Sequence, residues 1–87
     1  MKQAIILTKD NCPNCQNLKM FLKMALRDQY KDQLREVHQI NQKDEFKELV
    51  DQHRIMATPA IIFENDVIRG FEPQPVVNFL VKHFGKK

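Results

Sequence analysis

Hydrophobic positions along the chain switch repeatedly between continuous short runs and helical spacing. Ala4-Ile5-Ile6-Leu7-Thr8 is short and almost wholly apolar, the pattern of a strand covered on both faces. Asp10 and Asn11 break that run, and Pro13 suits a first helical position, where its missing N–H costs nothing. Cys15, Leu18, Phe21, Leu22, Ala25 and Leu26 then recur at helical spacing, with Lys19, Lys23 and Arg27 on another side. This predicts a helix to about Tyr30, with Met20 and Met24 as packing residues and the lysines as a solvated face.

Residues 34–40 are expected as a short strand, although Leu34, Val37 and Ile40 do not alternate cleanly. The polar segment leading into it from Tyr30 is read as an elongated, solvated helix end. Residues 44–53 predict a second helix with Phe46, Leu49, Val50 and His53 as its inward stripe, making His53 a partly buried structural histidine. Thr58-Pro59-Ala60-Ile61-Ile62-Phe63 reads as a strand entered through a proline. Glu64-Asn65-Asp66 turns the chain, and Val67-Ile68-Arg69 returns as a hairpin partner. Pro73 opens a last helix carrying Val76, Val77, Leu80, Val81 and Phe84, with Gly85 as its stop.

The order β-α-β-α-β-β-α implies an α/β fold: a four-stranded mixed sheet with helices on both faces. Its first βαβ unit gives parallel strands through a right-handed crossover, and its last two strands form an antiparallel hairpin. Eighty-seven residues allow one small core, so residues 1–87 are expected to form a single domain and to act as a monomer. Lys and Arg outnumber Asp and Glu by 14 to 11 without an arginine-rich tract, which argues against nucleic acid as a partner. No apolar stretch approaches a membrane span or an export signal, so the expected location is the cytoplasm. In a reducing compartment two close cysteines are catalytic or metal-binding more often than structural.

Cys12-Pro13-Asn14-Cys15 therefore carries the candidate chemistry. Two thiols three residues apart lie one turn from each other at a helix N-terminus. Unpaired N–H groups and the positive end of the helix dipole favour a thiolate there. The thiolate is the nucleophile of disulfide exchange, and the second thiol is close enough to finish the reaction. Cys12, at the helix start, is expected to be the more exposed and to attack, with Cys15 a turn deeper. Lys9 should lower the Cys12 pKa below the free-thiol value of ~8.5, and Asp10 should oppose it. Zinc held with two of His38, His53 and His83 is an alternative, although their spacing matches no finger pattern. An iron–sulfur cluster bridging two copies through these thiols is another.

This order of elements, with Cys-x-x-Cys after the first strand and Thr-Pro entering the third, resembles the thioredoxin superfamily over essentially the whole chain. Within it the chain is most similar to glutaredoxins and to the glutaredoxin-like NrdH-type redoxins. Thr8-Lys9-Asp10-Asn11-Cys12-Pro13-Asn14-Cys15 is similar to the glutaredoxin segment Thr-Lys-x-x-Cys-Pro-Tyr-Cys, and Ala57-Thr58-Pro59 stands where the family has its cis-proline loop. Trp is absent, and Ile6 holds the place of the buried acid of thioredoxins. Gly70-Phe71-Glu72-Pro73 replaces the glutathione-gripping Gly-Gly-x-Asp and resembles the Gly-Phe-x-Pro of NrdH-type redoxins, which draw electrons from thioredoxin reductase. The resemblance implies a cis Pro59 facing the sulfurs and a Thr58 backbone that receives extended substrate, with Gly70 and Phe71 bordering the groove. Lys9, Pro13 and Asn14 complete the implied substrate-binding set. It implies no bound cofactor, electrons from thioredoxin reductase or glutathione, and a disulfide-containing protein substrate, a ribonucleotide reductase among the candidates.

Overall fold

A computed structural model describes residues 3–86. Its strands are β1 (Ala4–Thr8), β2 (Leu34–His38), β3 (Ala60–Phe63) and β4 (Asp66–Arg69), and its helices are α1 (Pro13–Met20), α2 (Lys43–His53) and α3 (Pro73–Phe84). The strands form one sheet in the order β2-β1-β3-β4. β1 runs parallel to β2 and antiparallel to β3, and β3 pairs antiparallel with β4. The expected α/β architecture is therefore the observed one.

Strand position explains strand composition. β1 and β3 are the inner strands, and Ala4, Leu7, Ala60 and Ile61 on them have no exposed surface. The edge strands β2 and β4 carry Arg35, Glu36, Asp66 and Arg69 instead. Successive side chains alternate between faces, so β1 feeds two cores. Ala4 and Ile6 join Leu18, Leu22, Ile61, Val76, Phe79 and Leu80 on the face covered by α1 and α3. Leu7 joins Val37, Phe46, Ile55, Ala60 and Ile62 on the face covered by α2. Each fully buried aliphatic side chain contributes on the order of 1.5–3 kcal/mol, which makes these clusters the main source of stability.

The first helix is shorter than its apolar spacing predicts. Regular α-helix stops at Met20, and a π-type turn (Phe21–Ala25) follows. Arg27 and Asp28 then adopt φ values of 52° and 55°, which ends the helix several residues before Tyr30. Tyr30 is 5% exposed and donates its phenolic hydrogen to the Gly85 carbonyl at 2.9 Å. The expected solvated helix end is thus a turn that packs an aromatic ring against α3, followed by a short 3-10 turn (Lys31–Gln33) into β2.

Other expectations shift in the same region. Met20 and Met24 are 63% and 68% exposed and do not pack in the core. Lys19 does not stand free in solvent, because its Nζ lies 2.6 Å from Glu36 Oε2. β2 ends at His38, which leaves Ile40 exposed beyond it. β3 begins only at Ala60, so Thr58 and Pro59 lie in the loop that leads into it.

An ionic cluster closes the far end of the sheet. Asp66 Oδ2, at the start of β4, lies 2.7 Å from His83 Nε2 and 3.1 Å from Lys82 Nζ on the last turn of α3. The His83 ring sits between Phe63 and Phe79, with centroids 4.6 and 4.7 Å away. Hydrogen bonds from His83 and then Lys82 hold the Asp66 carboxyl below its ordinary range. That contribution is present above the unfolded-state value of about 3.9 and is lost as pH falls through the lower folded-state value. Asp66→Asn should therefore destabilise the protein at pH 7 by about 0.5–1 kcal/mol, after discounting for solvent screening of a carboxylate one-third exposed. Thermal melting of both proteins from pH 7 down to pH 2 checks this, with the two curves expected to converge in acid. A gap that stays constant over that range contradicts the assignment.

Candidate active site

The loop between β1 and α1 sets the geometry of the two cysteines. Asn11 takes a left-handed φ of 55°, a conformation that asparagine tolerates better than most residues. Cys12 is then extended (φ −124°, ψ 94°) and becomes the N-cap, with Pro13 opening the helix. In the usual cap a Ser, Thr, Asp or Asn oxygen accepts from the first turn. Here the Cys12 sulfur does so, receiving the Cys15 N–H at 3.2 Å. An N–H of a helix's first turn thus points at this sulfur, in the place where negative charge is favoured.

Cys12 and Cys15 are joined as a disulfide, with Cα atoms 5.2 Å apart. Both sulfur residues are largely covered, but Cys12 keeps 7% exposure against 1% for Cys15, the order that the sequence predicts. Across from them the Thr58–Pro59 peptide is cis, and Pro59 is fully buried. Thr58 Oγ1 lies 3.6 Å from Cys12 Sγ, and the Thr58 carbonyl oxygen lies 3.7 Å from it. In the oxidised state only the hydroxyl can donate, whereas a reduced thiol can donate to the carbonyl.

Gly70 is tied into the same assembly, because its N–H donates to the Pro59 carbonyl at 2.8 Å. Its φ of 77° is a conformation that side chains disfavour, so glycine has a backbone reason to be there. Phe71 follows, half-buried, with its ring centroid 5.5 Å from that of Phe21. Lys9 is exposed and lines a cavity of about 190 Å³ together with Ala57 and Thr58. Pro13 and Asn14 are exposed at the helix mouth, where Asn14 Oδ1 accepts from Asn17 Nδ2 at 3.5 Å. The structure brings Cys12, Cys15, Thr58, Pro59 and Gly70 together, sets Phe71 and Lys9 on the rim, and leaves Pro13 and Asn14 facing outward.

Two supports escaped the sequence reading. His38 Nε2 lies 3.1 Å from Asp10 Oδ1, and its Nδ1 accepts the backbone N–H groups of Ile40 at 3.2 Å and Asn41 at 3.5 Å. That pattern fixes the tautomer with hydrogen on Nε2 and clasps the loop before Cys12 to the turn after β2. Beside it, Glu36 accepts from the buried Thr8 hydroxyl and pairs with Lys19. Burial pushes the Glu36 carboxyl up, but Lys19 and Thr8 outweigh it and hold the group below its ordinary value. Both contacts join residues far apart in sequence, and only the parallel register that sets Thr8 beside His38 makes them neighbours. His38 and His83 are thus engaged with carboxylates. Among the described residues, no group of three or more His, Cys, Asp or Glu side chains gathers in a metal-binding arrangement.

Comparison with known proteins follows the same line. The family model described as Thioredoxin domain matches residues 1–83. No curated protein matches the chain significantly. Among solved structures, thioredoxin f2 of Chlamydomonas reinhardtii is similar with a TM-score of 0.71 and 17% identity, over 97% of this chain and 80% of that one. The Malassezia sympodialis thioredoxin, Mala s 13, is similar with a TM-score of 0.67 and 18% identity, over 92% of this chain and 72% of that one. At such identities the likeness to these two proteins is one of fold. The match along nearly the whole sequence shows that the chain belongs to the thioredoxin domain family, and its paired cysteines make it a thiol–disulfide oxidoreductase.

Proposed function

We propose that the protein is a single-domain, monomeric dithiol redoxin of the glutaredoxin-like NrdH kind that reduces protein disulfides in the cytoplasm. The observation that carries this reading is the position of the Cys12 sulfur. It receives the Cys15 N–H at 3.2 Å and faces Thr58 across the cis-proline loop, and its residue, though buried, is the less covered of the two at 7% against 1%. An approaching disulfide therefore meets Cys12 before Cys15.

In the reduced protein the Cys12 thiolate attacks one sulfur of the substrate disulfide. A mixed disulfide forms, and the other substrate sulfur leaves as a thiolate that takes up a proton. Cys15, deprotonated in turn, attacks the Cys12 sulfur, closes the intramolecular disulfide and releases the second substrate thiol. Two electrons pass to the substrate, and the protein ends as the Cys12–Cys15 disulfide. Thr58, in the loop before β3, offers its backbone to an extended substrate segment, as in strand addition. Gly70 and Phe71 border that groove, with Lys9, Pro13 and Asn14 around it.

No bound cofactor is needed, because electrons return through a second exchange with a reductant. Gly70-Phe71-Glu72-Pro73 favours thioredoxin reductase over glutathione, since it lacks the Gly-Gly-x-Asp that grips the tripeptide. A ribonucleotide reductase is one disulfide substrate of the expected kind.

Cys12→Ser is expected to abolish insulin disulfide reduction, whereas Cys15→Ser should trap a mixed disulfide with substrate, detectable as an adduct by mass spectrometry. Undiminished insulin reduction by the Cys12→Ser protein would sink the mechanism. Turnover with NADPH and thioredoxin reductase should exceed turnover with glutathione and glutathione reductase by about tenfold or more, the worth of one or two missing hydrogen bonds. Faster turnover with glutathione in parallel NADPH-oxidation assays rejects the NrdH-type assignment.

A further inference from the structure

On the side of the molecule carrying α2, a groove extends outward from Thr58 and Lys9 at the edge of the proposed exchange site. Its inner part is the cavity of about 190 Å³ that touches Thr58, the residue facing Cys12. Its outer part, about 600 Å³, adjoins this one through shared walls at Gln39, Phe46 and Val50 and runs along α2. Phe46 and Val50 give it an apolar floor, and the rim carries the exposed side chains Ile40 (63%) and Met56 (92%). Large side chains at such exposure around an apolar floor are a surface for contact with another molecule.

The charges say what kind of molecule. Lys9 lines the inner cavity and Lys43 and Lys47 line the outer one, and among the described residues no carboxylate lines either. Helical spacing produces this segregation. Lys43, Phe46, Lys47 and Val50 form one stripe of α2, while Asp44, Glu48 and Asp51 fall on the neighbouring face at about 100° per residue. Glu45 is occupied by Arg35, at 3.0 and 2.6 Å. The helix also begins at Lys43, and its N-cap Gln42 makes no side-chain capping bond, so the positive end of its dipole adds to the lysines.

We propose that this groove docks an acidic segment of the substrate protein, carboxylates on the lysine rim and an apolar side chain on the Phe46–Val50 floor, beside the disulfide being reduced. A second copy of this chain is a poor occupant, since its formal charge of +3 would meet the same positive rim. The inference deepens the proposed function and rests on its reading that protein disulfides are the substrate.

The test uses the 87-residue chain, pre-reduced and without any reductase. Second-order rates are measured for peptides that share one disulfide and one neighbouring leucine and differ only in three flanking residues, Glu, Gln or Lys. Rates are normalised to that for 2-hydroxyethyl disulfide, which is too small to span the groove. The Glu peptide should react about tenfold faster than the Gln peptide at low ionic strength, and the advantage should shrink as salt is added. In Lys43→Glu/Lys47→Glu the order should invert, with the Lys peptide fastest. Equal normalised rates for the Glu and Gln peptides overturn the proposal in favour of purely apolar docking. An unchanged preference in the double variant overturns it by placing the selection elsewhere. If 2-hydroxyethyl disulfide is reduced but no peptide is, the reading of protein disulfides as substrates fails and takes this inference with it.

Discussion

Strand register is the constraint on which the rest of this structure depends. β1 is paired on both sides, with Thr8 beside His38 of β2 and Leu7 opposite Ala60 of β3. Those two pairings bring three separate segments to one end of the sheet: the loop carrying Cys12, the turn after β2, and the Thr58–Pro59 loop before β3. A slip of one residue along either ladder would turn Ile6 and Leu7 onto the wrong faces and move Thr58 away from the sulfur. The two apolar cores forbid that slip, because each takes alternate residues of β1. The packing that stabilises the fold is therefore the same packing that aligns the dithiol.

What surrounds the sulfur is mostly backbone and hydroxyl, and little of it is charged. Among the described residues, the Cys15 N–H, the Thr58 hydroxyl and the Thr58 carbonyl are the groups within hydrogen-bond reach of the Cys12 sulfur. Helix-end N–H groups stabilise negative charge without a titratable partner, and the Cys15 N–H is aimed at the Cys12 sulfur by geometry fixed at folding. The carboxylate of Asp10, two residues before Cys12, is meanwhile engaged by His38. The clasp gives that nearby negative charge a partner while tying the loop to β2.

Much of this was legible in the sequence, and the gaps have physical reasons. β1 and β3 were readable as short continuous apolar runs, and α2 and α3 as apolar stripes with a helical period. The dithiol was readable because Cys12 and Cys15 are local, flanked by a strand and a helix-starting proline. The end of the first helix was not: Phe21, Leu22, Ala25 and Leu26 keep helical spacing across a π-type turn, and neither Gly nor Pro marks the exit at Arg27 and Asp28. Met20 and Met24 look like core residues for the same reason, since spacing alone does not tell which face another element covers. The Asp10–His38 and Thr8–Glu36–Lys19 contacts exist only once the parallel register is known, and no local signal announces them.

The irregular exit from α1 also fastens the crossover to the last helix. Breaking the helix near Ala25 turns Tyr30 inward, where its ring meets Phe84 and its hydroxyl takes the carbonyl of Gly85 at the end of α3. One side chain thus fastens the crossover to the last helix and spends its polar tip on an acceptor that a helix end leaves unpaired. The crossover then enters β2, whose register with β1 sets His38 beside Thr8 and its ring against Asp10. The deviation that hid this segment from a periodicity argument is thus the turn that anchors the crossover to α3.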